Sequence, residues 1–171
     1  MNNRISDNLL HTGVNEELVR QLVSCNVKFI IIGGLAVAWH CVERQADDLD
    51  ILIEPSVENS RRLSSALTKL QISGFSTDSF TRFGQQMSLK DYYYADLLTP
   101  KPDFPTYSEI ESEALLAKLF NIPVLVASIP SLIAMKSAVI SELTDQVQKH
   151  LNDITLLKKV PANSHRRSKS I

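Results

Sequence analysis

Two short apolar runs, VKFIIIGG (27–34) and LDILIE (49–54), constrain the fold more than any other part of the chain. Phe29 to Ile32 are aromatic and β-branched with no polar interruption, as in a strand covered on both faces. The run stops at Gly33-Gly34, where glycine lets the backbone take positive φ and approach a ligand closely. LAVAWHCVE follows and reads as a helix of about nine residues. The second run opens on Asp48-Leu49-Asp50, and residues two apart in a strand share a face. The chain therefore sets two carboxylates side by side at a strand start, one short helix after a glycine turn.

The remaining pattern supplies neighbours for these strands. Leu18, Leu22 and Cys25 lie at helical spacing behind Asn15, a plausible N-cap. Val57, Leu63, Leu67 and Leu70 mark an amphipathic helix to about Gln71, closed by Gly74. FSTDSFTRF (75–83) and YYYADLL (92–98) have strand composition, and Pro100, Pro102 and Pro105 mark an irregular loop. ALLAKLF and IPVLVAS (114–128) read as two more strands. From Ser128 the spacing turns helical, with one stripe of Leu132, Met135, Val139, Ile140 and Leu143 and another of Val147, Leu151, Ile154 and Leu157. This order predicts an α/β (α+β) fold, a mixed central sheet flanked by helices with a short C-terminal helical pair. Residues 1–128 form the core, 129–160 the helical pair packed on it, and 161–171 a disordered basic tail.

Composition narrows the class. Of 171 residues, 44% are hydrophobic and 22% charged, which excludes general disorder. No apolar stretch approaches the roughly 20 residues of a membrane span, and MNNRISDNLL lacks the pattern of a signal peptide. Cys25 and Cys41 make neither a disulfide framework nor a metal quartet; they read as small buried residues in a reducing, cytoplasmic setting. The net charge is −1, but Arg166, Arg167 and Lys169 lie in the tail, and without them 15 basic residues face 19 acidic ones. A mildly acidic body is not that of a general nucleic-acid binder.

Asp48 and Asp50 repel one another unless a cation neutralises them. Hard oxygen ligands point to magnesium or manganese, and magnesium held by few carboxylates keeps positions open for substrate phosphates. The helix N-terminus after Gly33-Gly34 offers free N–H groups to an anion. Glycine turn and carboxylates together suit in-line attack on a nucleoside triphosphate.

The run GGLAVAWHCVERQADDLDILIE resembles the nucleotidyltransferase signature: a glycine pair, a short helix, then D-x-D on the next strand. It is most similar to a small bacterial group with a Gly-Gly-x-Ala, His-Gly, Arg-x-Thr-x-Asp-x-Asp pattern, which includes abortive-infection toxins and minimal nucleotidyltransferases. SIPSLIAMKSAVIS and HLNDITLL resemble that group's lysine helix and closing helix. Ala46, Cys41 and Gly34 depart from the family's threonine before the first acid, its glycine after the histidine, and the serine that follows the first glycine in many superfamily members. The resemblance implies transfer of a nucleoside monophosphate from an NTP to a hydroxyl with Mg2+ or Mn2+. The acceptor would be a protein side chain, an RNA 3′ end or a small molecule. The chain's small size leaves room for a second copy or a cognate protein partner.

The resemblance also implies a third carboxylate on a later strand. Asp96 suits it as a lone acid in an apolar, aromatic run, whereas Asp91 precedes that run. Asp48, Asp50 and Asp96 would be the metal and catalytic residues, with Asp96 as base toward the acceptor; Gly33, Gly34, Arg44 and Lys136 would bind nucleotide. Arg44 suits either a triphosphate or the carboxylates, or an ion pair with Asp47 or Asp48. Lys136 lies close to an apolar stripe and must snorkel or meet an anion, whether phosphate or site carboxylate. His40 reads as a packing or hydrogen-bonding residue. Asp153 reads as an i−4 partner of Lys149, and Tyr92 to Tyr94 as alternating strand residues that pack or stack on a base.

Overall fold

The computed structural model describes residues 15–140 and 145–161. Leu143 and the tail from residue 162 lie outside the described residues. Helix α1 (Asn15–Ser24) buries Leu18, Val19 and Leu22 and leads through Asn26 (φ 54) into strand β1 (Phe29–Ile32), which is buried at every position. Helix α2 (Gly33–His40) begins directly at the glycine pair and ends at His40, earlier than its sequence suggests. Strand β2 (Leu49–Ile53) and helix α3 (Val57–Lys69) follow, with Ser56 capping α3 by accepting from the Asn59 N–H.

The middle of the chain departs from its strand-like composition. Residues 75–83 form turns and bends rather than a strand: Phe75, Phe80 and Phe83 do not fall on one strand face, and only Phe80 is fully buried. Strand β3 (Gln86–Ser88) is short, and β4 (Ala95–Leu98) starts only after Tyr94. Tyr92 to Tyr94 belong to a turn in which Leu89 O accepts from the Tyr92 and Tyr93 N–H groups. Tyr93 is still buried while Tyr92 and Tyr94 are exposed. Helix α4 (Tyr107–Glu113) emerges from the proline loop on a capping box: Thr106 accepts from the Glu109 N–H and Glu109 accepts from the Thr106 N–H.

Strands β5 (Leu115–Leu119) and β6 (Ile122–Val126) form a hairpin whose two loop residues, Phe120 and Asn121, both have positive φ, the geometry that matches strand twist. Helices α5 (Ile129–Ile140) and α6 (Val147–Lys159) pack on each other and on α2. Leu151 of α6 is exposed, and Asp153 takes an inward place beside Ile154 and Leu157.

The six strands form one mixed sheet in the order β3-β4-β2-β1-β6-β5. β1 runs antiparallel to β2 and parallel to β6; β2 runs parallel to β4. Ile30, Ile31, Leu49, Ile51, Leu52 and Ile53 are wholly buried at its centre. No described helix is long and apolar enough to cross a membrane.

Candidate active site

Sheet register assembles the carboxylates. Asp50 pairs with Asp96 across the parallel β2–β4 ladder, so both side chains share one face on strands about 4.8 Å apart. Asp48 lies two residues before Asp50, just ahead of β2. One carboxylate oxygen from each of Asp48, Asp50 and Asp96 lies within 4.8 Å of the others. Asp91 and Asp47 are exposed and stand outside this cluster.

β1 brings the glycine turn to the same place. Ile32 pairs with Asp50 in the antiparallel ladder, so the chain leaves β1 beside that carboxylate. Gly33 has φ +66, and a Cβ built on it would lie 1.8 Å from Asp50 Oδ2. A side chain is excluded there twice, by backbone conformation and by the carboxylate. Gly34 faces Arg44, whose guanidinium nitrogen would lie 3.4 Å from a Cβ at that position.

Electrostatics follow from this crowding. Burial first, then the charges of Asp48 and Asp96, push the Asp50 carboxyl up to about 6. Lys90 lies over the cluster, its Nζ 2.8 Å from Asp48 Oδ2 and 3.1 Å from Asp96 Oδ2. Those two hydrogen bonds raise the Lys90 ammonium above its ordinary range. Asp96 Oδ1 is nonetheless buried without a hydrogen-bond partner. An orphaned carboxylate oxygen, three converging hard donors and a resident cation describe a site that suits a divalent metal ion.

Two of the other predicted residues, Arg44 and Lys136, meet on Asp153 beside the cluster: Arg44 faces Gly34, and the Lys136 charge acts on Asp50. Arg44 Nε donates to Asp153 Oδ1 at 3.0 Å, and so pairs with neither Asp47 nor Asp48. Lys136 is buried on α5 and donates to Asp153 Oδ2 at 2.8 Å. Asp153 is thus the centre of a buried triad, not a surface partner of Lys149. Its burial raises the carboxyl, but the hydrogen bonds from Lys136 and Arg44 prevail and hold it below its ordinary value. The His40 ring nitrogen Nε2 lies 2.9 Å from Ala127 O and joins the end of α2 to the residue after β6. Cys25 and Cys41 are partly exposed free thiols.

Sequence patterns missed Lys90 and the depth of Asp153. Asp153 had a signal, since it immediately precedes the inward-facing Ile154 on a helix that meets a buried lysine. Lys90 had none, because its reach depends on a turn where strand composition prevails.

No family model matches the chain, and neither does any curated protein. Solved structures do. The crystal structure of ANT(2")-Ia in complex with adenylyl-2"-tobramycin superposes with a TM-score of 0.56 at 16% identity, covering 83% of this chain and 84% of that one. The chain has a nucleotidyltransferase fold. The solution structure of the antibiotic-resistance factor ANT(2'')-Ia gives a TM-score of 0.57 at 16% identity over 83% of this chain and 79% of that one. An antigenic nucleotidyltransferase-like protein from Paracoccidioides brasiliensis gives 0.52, also at 16% identity, over 84% of this chain and 73% of that one.

Proposed function

We propose that the protein is a metal-dependent nucleotidyltransferase. The observation that carries this reading is the convergence of Asp48, Asp50 and Asp96 beside the Gly33-Gly34 turn, with one Asp96 oxygen unpartnered. Asp48, Asp50 and Asp96 would hold Mg2+ or Mn2+. Such ions, when bound, draw charge from the phosphates and orient an in-line displacement. Asp96 would accept the proton of the acceptor hydroxyl. That hydroxyl oxygen attacks the α-phosphorus, a new P–O ester bond forms, and the bond to pyrophosphate breaks. The N–H groups at the start of α2 cradle the triphosphate. Arg44 and Lys136, aligned by Asp153, place positive charge behind the glycine turn.

The acceptor belongs to one of three classes: a protein side chain, an RNA 3′ end or a small molecule. The meeting of Lys136 with Asp153 supports likeness to the abortive-infection toxin group, whose two C-terminal helix motifs those residues match. A protein that binds nucleotide or a cognate partner without turnover is the other reading. The close approach of the three carboxylates favours the enzyme.

The test is incubation with each labelled nucleoside triphosphate, Mg2+ or Mn2+, and a cell extract, followed by separation of protein, RNA and small molecules. Label is expected in one fraction and is lost with Asp48→Ala. Equal labelling by the variant would sink the mechanism.

A further inference from the structure

We propose that Lys90 is a displaceable internal counter-ion that occupies the metal position of the carboxylate cluster and withdraws when a divalent cation binds. The inference rests on the metal-site reading above and adds a residue that this reading does not use.

The Lys90 ammonium bridges the two outer carboxylates, Asp48 and Asp96, through one oxygen of each. It satisfies the cluster incompletely. It makes no hydrogen bond to Asp50, and Asp96 Oδ1 stays buried without a partner. A purely structural counter-ion would leave no buried carboxylate oxygen without a partner. This site instead holds more oxygen donors than one ammonium uses, as suits a cation of higher coordination number.

The surroundings allow withdrawal without unfolding. Leu89 and Tyr93 are buried on either side of Lys90 and anchor its turn. The Leu89 N–H donates to Ala95 O at 2.7 Å, and Leu89 O accepts from the Tyr92 and Tyr93 N–H groups. The backbone is therefore pinned while the Lys90 side chain is 49% exposed. Rotation about its flexible stem carries the ammonium into solvent and frees both oxygens. A metal ion must displace Lys90, so the lysine keeps the carboxylates together in the metal-free protein and weakens binding of the bare ion.

Two measurements on the full-length chain test this. Mn2+ binding without nucleotide, followed by the electron paramagnetic resonance of the free ion, compares the parent chain with Lys90→Met and Asp48→Ala. The Lys90→Met chain is expected to bind Mn2+ roughly fivefold to tenfold more tightly, as befits release of two partly exposed ion pairs. Equal or weaker binding by Lys90→Met, with the parent still binding, overturns the role of Lys90 and leaves the metal site intact. Absence of binding in all three chains overturns both readings. The second measurement needs no variant: the rate of Lys90 acylation by an amine-reactive reagent, read by peptide mass spectrometry. It should rise several-fold when Mg2+ is added, and an unchanged rate rejects the displacement.

Discussion

Gly33 is held to glycine by conformation and by space at once. Its φ of +66 lies in the left-handed region, and its missing Cβ leaves the space that Asp50 Oδ2 uses. Gly33→Ala should lower stability by ~1–2 kcal/mol from backbone strain alone, and turning Asp50 aside should also weaken Mn2+ binding. Thermal unfolding and Mn2+ titration would check the two effects separately. Parent-like values in both would refute the fit described here. Residues of this kind are legible from sequence because so few are involved: Gly33 and Gly34 are two of only five glycines, and they stand between two apolar runs. Lys90 was not legible, because its role is fixed by a turn and not by any property of its neighbours in the chain.

At the scale of elements, the α5–α6 pair is locked by charge as well as by apolar contact. Asp153 on α6 is almost wholly buried and receives Lys136 from α5 and Arg44 from the loop after α2. Asp153→Asn would leave Lys136 buried without its counter-charge, at a cost of about 3–5 kcal/mol, measurable by urea unfolding at neutral pH. The sign of the pH effect follows from the lowered carboxyl. In the unfolded chain Asp153 takes up its proton near the ordinary value of about 4, before the folded chain does. Its stabilisation is therefore complete above that range and drains away as the pH falls through the lower, folded value. The acid limb of the stability profile should be shallower in Asp153→Asn, and an unchanged limb would contradict the triad. Strands β1 and β2 could be read from sequence because the β1 run is unbroken, the β2 run is interrupted only by Asp50, and glycine and proline punctuate their ends. Helix α4 could not, since the prolines before it dominate the local pattern; its sign was the Thr106–Glu109 capping box. The stretch 92–94 misleads because tyrosines suit a strand and a half-buried turn equally well.

Across the whole molecule, the central strand joins distant parts of the chain. β1 is flanked by β2 on one side and by β6, which lies near the C-terminal helices, on the other. Non-local pairing of this kind slows folding, so stopped-flow refolding is expected in about milliseconds to seconds. A microsecond phase carrying the full amplitude would argue against the topology. Ile31→Ala, at a wholly buried site paired with both neighbours, should cost about 2–5 kcal/mol, read from the urea midpoint. The same threading divides the site between two halves of the polypeptide. The turns at 73–78 are largely exposed and separate α3 from β3. A cut there leaves the glycine pair, Asp48 and Asp50 on one piece, and Asp96, Lys136 and Asp153 on the other. Neither piece alone carries all three carboxylates, so the two halves should function only when brought together. On the proposed reading, fragment association should restore Mn2+ binding, the readout that a split reporter built on this chain would use.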